Sequence, residues 1–216
     1  MSVTDTGSEA RGRARVSAGA IALTFDDGPA PVWTEQILEE LRREDASATF
    51  FVVAPRAVAN PGLIEAITAG GHEVGFHCVR HVRHSEQGED ELRSEVEVGL
   101  EMLASLGLRP TAWRAPWGDV TELTRELAGE HGLELWGWSF DSHDWRGDSR
   151  EQMLDALRSA GGLDGGTVAL MHDGLGPGAR RGGCAETVRL TGALLAAARA
   201  SGLRPGLLSG PTAVTP

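Results

Sequence analysis

The chain has 216 residues, 31 acidic and 20 basic, for a net charge of −11, and every basic one is arginine. Without lysine or tyrosine it cannot form a lysine Schiff base, grip a nucleotide phosphate with a P-loop or kinase lysine, or use tyrosine as nucleophile or general acid. The negative charge also argues against nucleic acid as a partner, since its backbone would be repelled.

Residues 1–18, rich in Gly, Ser and Ala with Arg11, Arg13 and Arg15 among them, read as a disordered tail. The apolar run at 20–25 is shorter than a secretory signal needs, and no run reaches transmembrane length. The expected location is therefore cytoplasmic, with no membrane partner. Two cysteines, Cys78 and Cys184, make no disulfide framework and suit a reducing compartment.

From residue 20 onward, short apolar runs alternate with amphipathic stretches. A strand at 21–25 is followed by a helix over 32–43, a strand at 48–53 by a helix over 63–69, and a strand at 73–76 by a helix over 89–106. Leu92, Val96, Leu100 and Leu103 line one face of that last helix. A strand at 112–114 precedes a helix over 120–131, one at 133–140 precedes 150–159, and one at 167–171 precedes 186–200. A last strand is expected at 203–208. Glycine and proline punctuate these elements. The alternation predicts an α/β fold, a distorted (β/α) barrel of about seven parallel strands. The domain spans 19–210, with 211–216 as a C-terminal tail.

In a parallel barrel, catalytic groups come from the C-terminal ends of strands. Asp26 and Asp27 follow the first predicted strand, and His77 and His81 the third. Arg114 ends the fourth, Asp141 and Asp144 follow the fifth, and His172 and Asp173 the sixth. On a helix or helical turn, the spacing of four places His77 and His81 on one face. Two such imidazoles and one carboxylate, for which Asp27 is the best placed, make a three-ligand metal site with open positions. Asp26 beside it is free to accept a proton from a metal-activated water. His84, three residues past His81, is a further candidate for the site wall.

Together and in order, these residues resemble the polysaccharide deacetylase family (the NodB-homology domain, carbohydrate esterase family 4). The motifs are Thr24-Phe25-Asp26-Asp27-Gly28-Pro29, His77-Cys78-Val79-Arg80-His81, Arg114-Ala115-Pro116-Trp117-Gly118, Asp141-Ser142-His143-Asp144-Trp145 and Leu170-Met171-His172-Asp173. The resemblance runs from about residue 20 to 208. It implies a divalent metal, zinc before cobalt, nickel or manganese, held by Asp27, His77 and His81. It implies Asp26 as general base paired with Arg114, and His172 as general acid oriented by Asp141. The Trp117 backbone N–H would serve the oxyanion. Pro116, Trp117, Asp144 and Trp145, with His84, would form the substrate-binding set.

The implied activity is hydrolysis of an N-acetyl group on an amino sugar, a chito-oligosaccharide or a sugar-containing metabolite. Peptidoglycan, chitin, or a non-sugar amide, formamide or cyclic imide are alternatives, and a silent carbohydrate-binding module is the reading from a different class. Two stretches of the histidine motif region depart from the family pattern. Cys78 stands where Thr or Ser is usual and is expected to pack, and Arg80 with the Val82-Arg83-His84 run adds positive charge beside the metal motif.

Overall fold

The structure, a computed structural model, describes residues 15–208. Strand β1 (Ala20–Asp26) leads into helix α1 (Trp33–Arg43). Strand β2 (Thr49–Val53) is followed by α2 (Ala54–Ala59) and α3 (Pro61–Ala69), and β3 (Glu73–Cys78) by α4 (Glu89–Ser105). Then come β4 (Ala112–Trp113), α5 (Glu122–Glu130), β5 (Glu134–Leu135), β6 (Phe140–Asp141) and α6 (Arg150–Ser159). Strand β7 (Val168–His172), α7 (Ala185–Ala200) and β8 (Arg204–Pro205) complete the chain.

The strands pair in the order β5-β4-β3-β2-β1-β7-β6, with β8 on β1, and all these pairings are parallel. This is the distorted half-barrel expected from the alternation of elements. It differs from the expectation at one strand. The run at 133–140 is two strands on opposite ends of the sheet, one pairing β4 and the other β7. Trp136 N–H still donates to Trp113 O, whereas Ser139 N–H donates to Val168 O, so the chain changes partner across Gly137. Helix α2 was not foreseen, because its six residues are too few to show a period. The final strand shrinks to two residues.

Strand side chains alternate between faces, and here the alternation divides structure from chemistry. Ile21, Leu23 and Phe25 of β1, Phe50 and Val52 of β2, and Ala169 and Met171 of β7 pack outward into the helix-covered core. The opposite file of β1 is Ala22, Thr24 and Asp26. Ala22 joins Phe51, Ala112, Trp136 and Val168 in a separate apolar plug inside the barrel. Phe51 has room there only because Gly75 lacks a side chain: a Cβ at Gly75 would lie 2.6 Å from its ring. Leu92, Val96 and Leu103 seal α4 onto the sheet, each burial contributing roughly 1.5–3 kcal/mol. Helices α5 and α6 start in capping boxes, Thr121 with Thr124 and Ser149 with Gln152, which satisfy exposed N–H groups of the first turn.

Of residues 1–18, those before Arg15 lie outside the described residues, as do 211–216. Arg15 itself pairs with Asp164 at 2.7 Å, and Val16 N–H donates to Gly166 O. Among the described residues, no helix is long and apolar enough to cross a membrane.

Candidate active site

The inward file of side chains ends in Asp26 on β1, His77 on β3 and His172 on β7, and all three line one pocket of about 210 Å³. Asp27 follows β1 with a φ of 72°, a left-handed conformation unusual for a side-chain-bearing residue. That turn brings its carboxylate back toward the barrel axis. Its neighbours leave no space for anything else. A Cβ at Gly28 would sit 2.1 Å from the Asp173 carboxylate, and one at Gly176 would sit 2.2 Å from that of Asp27. Arg56 of α2 donates to Asp27 O and to Leu175 O, tying the loop after β1 to the loop after β7.

Asp27 Oδ1 lies 3.5 Å from His77 Nε2 and 3.3 Å from His81 Nε2. The three ligand atoms lie within 4.8 Å of one another. His77 and His81 do not share a helix turn as their spacing suggested. His77 is on β3, and His81 is in the loop that folds back from it. His77 Nδ1–H donates to Arg114 O at 2.7 Å, which leaves Nε2 as the lone-pair atom facing Asp27, the arrangement a metal ligand requires.

Asp27 Oδ1 and His77 Nε2 are buried and have no hydrogen-bond partner, so a cation between them would satisfy both. Burial alone would raise the Asp27 carboxyl, but His77, His172 and His81 together hold it well below the usual carboxylate range. His77 is raised despite complete burial, because Asp26 and Asp27 favour its positive form. A site whose negative potential overcomes that desolvation suits a dication. His81 falls to about 4, through burial and the neighbouring His77, and is therefore neutral at neutral pH, the form that can bind a metal. The residues present fit a divalent metal of the nitrogen-and-oxygen-binding kind.

Glu95 of α4, which gave no sequence signal beyond its place in a helix, holds this loop from outside. Its buried carboxylate accepts from Val79 N–H and Arg80 N–H. Arg80 folds over it toward Glu91 and Glu95, at 2.7 and 3.3 Å, so its charge points away from the pocket, whereas Arg83 lies over the ring of Trp117, 4.9 Å from its centroid. Glu95→Ala is expected to weaken metal retention by about 10–100-fold, read as the Kd from competition with a chelating dye. An unchanged Kd would show that the loop keeps its shape without this carboxylate. Cys78 is buried, its thiol pushed up mainly by desolvation, and it packs as expected instead of ligating.

Arg114 is fully buried inside the barrel. It donates to Asp26 Oδ1 at 2.8 Å, Thr24 Oγ1 at 2.7 Å, Trp136 O at 3.3 Å and Gly137 O at 2.8 Å. The break between β5 and β6 explains the last two contacts. Where the chain leaves one partner for the other, its carbonyls are free to accept from a guanidinium. The expected pairing of Asp26 with Arg114 is present.

The expected pairing of Asp141 with His172 is not. His172 Nδ1 bonds Asp144 Oδ1 at 2.7 Å, and His172 N–H donates to Asp144 Oδ2 at 2.9 Å. His143 takes a left-handed φ of 57°. This reverses the chain, so that Asp144 passes beneath β7 while Asp141 accepts from His143 N–H at the pocket wall. Asp144 is therefore not a substrate-facing residue. Burial would lower His172, but the Asp144 carboxylate and hydrogen bond, with Asp27 and Asp26, raise it to about 9. Two further groups brace Asp144: Thr187 Oγ1 at 2.7 Å and Arg181 Nη1 at 3.0 Å. Arg181 sits in a glycine-rich loop with no periodic pattern, and nothing in the sequence pointed to it.

Trp117 and Trp145 line the pocket as expected, Trp117 remaining 39% exposed. His81 packs edge-on against Trp117 with ring centroids 5.0 Å apart. Two expected wall residues are elsewhere. Pro116 is buried and takes no part in the pocket lining. His84 is also buried, bonding Thr124 Oγ1 at 2.9 Å and packing on Trp113. The short turn after Arg83 carries it off the pocket.

An open parallel barrel with an Asp-His-His group, a carboxylate on one side and a charged imidazole on the other defines a hydrolase-type centre. The family model described as polysaccharide deacetylase matches residues 13–136, and the chain belongs to that family. It is 33% identical over 157 residues to a peptidoglycan-N-acetylglucosamine deacetylase of Bacillus cereus, covering 71% of this chain and 72% of that one. It is 32% identical to the chitooligosaccharide deacetylase of a Bradyrhizobium strain, over 75% and 74% of the two chains. Among solved structures, a peptidoglycan N-acetylglucosamine deacetylase bound to 4-naphthalen-1-yl-N-oxidanyl-benzamide superimposes with a TM-score of 0.81 at 28% identity, covering 91% of this chain and 89% of that one. The protein is a deacetylase of carbohydrate esterase family 4.

Proposed function

We propose that this deacetylase is metal-dependent and removes the N-acetyl group from an N-acetylglucosamine unit of a glycan, releasing acetate and a free amine. One observation carries the reading. Asp26 on its buried arginine and His172 on its buried aspartate flank the Asp27-His77-His81 group in a single pocket. Held by those three residues, a divalent metal, zinc by the donor set, supplies carbonyl polarisation and a more acidic water.

The chain's own side chains do the rest. Asp26, one oxygen fixed by Arg114, accepts the proton of the attacking water. His172 carries its proton on Nε2, because Nδ1–H is committed to Asp144. It delivers that proton to the departing nitrogen, without which an amine would leave as its anion. The Trp117 N–H, turned by a left-handed φ of 62°, stands as a donor for the oxyanion. The rings of Trp117 and Trp145 give the sugar two apolar walls. N-acetylglucosamine is chosen because one relative named above is a peptidoglycan-N-acetylglucosamine deacetylase and another a chitooligosaccharide deacetylase.

The test is acetate release from N-acetylglucosamine oligomers and from peptidoglycan fragments, with zinc or cobalt added, for wild type and Asp26→Asn. Wild type should release acetate, and the variant should be slower by about 100- to 10,000-fold with metal content unchanged. No release from any acetylated glycan, with metal bound stoichiometrically, would overturn the reading.

A further inference from the structure

We propose that Arg181 is a positioning residue for proton delivery, gripping Asp144 and the His172 backbone as one unit so that the imidazole keeps its aim at the leaving nitrogen. The proposal rests on the deacetylase reading above, in which His172 is the proton donor. The loop between β7 and α7 contains two adjacent arginines with opposite fates. Arg180 is exposed and lies over the Trp145 ring. Arg181 turns inward until its side chain is only 7% exposed.

Its two terminal nitrogens divide the work. Nη1 donates to Asp144 Oδ2 at 3.0 Å and to Thr187 Oγ1. Nη2 donates to His172 O at 2.9 Å, with longer contacts to Gly174 O and Cys184 Sγ. One guanidinium thus holds the carboxylate that orients the imidazole and the main chain that carries it. Asp144 Oδ2 accepts from three groups, Arg181, Thr187 and His172 N–H, whereas Oδ1 accepts from His172 Nδ1–H. The carboxylate cannot rotate away from the imidazole without stranding a buried guanidinium, which is strongly unfavourable. The same positive charge offsets that of Asp144, which would otherwise hold the imidazole proton more tightly.

The experiment compares two acyl substrates whose leaving groups differ in their need for a proton. In amide hydrolysis, water oxygen bonds the carbonyl carbon, the C–N bond breaks, and the nitrogen takes the His172 proton. In hydrolysis of 4-nitrophenyl acetate, the C–O bond breaks to a phenolate that needs none. Arg181→Gln should lower the ratio of kcat on an N-acetylglucosamine oligomer to kcat on 4-nitrophenyl acetate by about 10- to 100-fold. Arg181→Lys, which keeps the charge, should recover part of it. A ratio equal to wild type in both variants, whether or not the separate rates fall, would overturn the proposal, because a general loss of structure lowers both rates together. His172→Ala separates this failure from that of the underlying reading. If His172→Ala lowers the ratio and the Arg181 variants do not, only the Arg181 assignment is wrong. If wild type cleaves the ester but no acetylated glycan, or if His172→Ala leaves the ratio unmoved, the fault lies in the deacetylase reading itself.

Discussion

Arg114→Met should destabilise the protein by about 3–5 kcal/mol, the usual consequence of removing one partner of a buried ion pair, and should also abolish most deacetylation. The guanidinium has no solvent exposure, and Asp26, Thr24 and the Trp136 and Gly137 carbonyls all accept from it. Methionine would fill part of the volume between Phe51 and Trp138, whose rings lie 4.3 and 5.8 Å from the guanidinium carbon. It would leave those four acceptors without their donor, and of the four residues only Asp26 borders the pocket. Urea denaturation measures the loss as a lower midpoint at constant slope. The double variant Arg114→Met/Asp26→Asn should recover part of the stability, because the stranded charge is gone, while staying inactive. A single-variant loss below about 1 kcal/mol, in the range of an exposed pair, would show that Arg114 is dispensable to the barrel interior.

Arg114 also illustrates which parts of the site could be read from the sequence. Asp26, His77 and His172 sit at the ends of strands, where the two-residue alternation fixes the inward face and the parallel fold fixes the end. Arg114 follows β4 directly and takes the same face. For these residues, a motif on a strand already implies a position. Beyond strand ends, sequence spacing loses its geometric meaning. His81 and His84 are separated by two residues of irregular chain, Val82 and Arg83, and one faces the pocket while the other packs against Trp113. Asp141 and Asp144 are divided by one left-handed residue, His143, which exchanges the roles their order suggested. The strand expected over 133–140 divides in two for a related reason. Leu133, Leu135, Trp136, Trp138 and Phe140 keep a strand-like composition through the break at Gly137, and nothing local records that the halves have different partners. Glu95, Arg56 and Arg181 gave no signal because they act across elements far apart in sequence, and charged side chains on helices and loops ordinarily face solvent.

That exchange makes Asp144→Asn and Asp141→Asn an informative pair. Asparagine at 144 can still accept from His172 Nδ1–H through its amide oxygen, but its NH2 replaces the oxygen that accepts from His172 N–H, Arg181 and Thr187, so the charge and those three bonds are lost while the bond to the ring is kept. In wild type the imidazole is raised to about 9 from an ordinary 6.5, with Asp144 the largest favourable cause and burial opposing it. Without the carboxylate, burial meets less opposition and the value falls. Wild type should therefore keep its proton donor until the pH nears 9, and Asp144→Asn should lose it at a lower pH. At pH 8 the deacetylation kcat should drop by about 100- to 1,000-fold, and the defect should shrink as pH falls toward 5.5. Asp141→Asn should cost less than about tenfold and leave the alkaline limb where it is.

Stability follows the same sign. A folded-state value raised above the unfolded one gives stability that is complete below about 6.5 and is lost as pH rises through about 9. Asp144 is depressed from 3.8, so its contribution is present above that value and is lost in acid. The difference in Tm between wild type and Asp144→Asn should be greatest between about pH 4 and 6.5 and should narrow above pH 9. Profiles in which Asp141→Asn, and not Asp144→Asn, moved the alkaline limb would return the orienting role to Asp141.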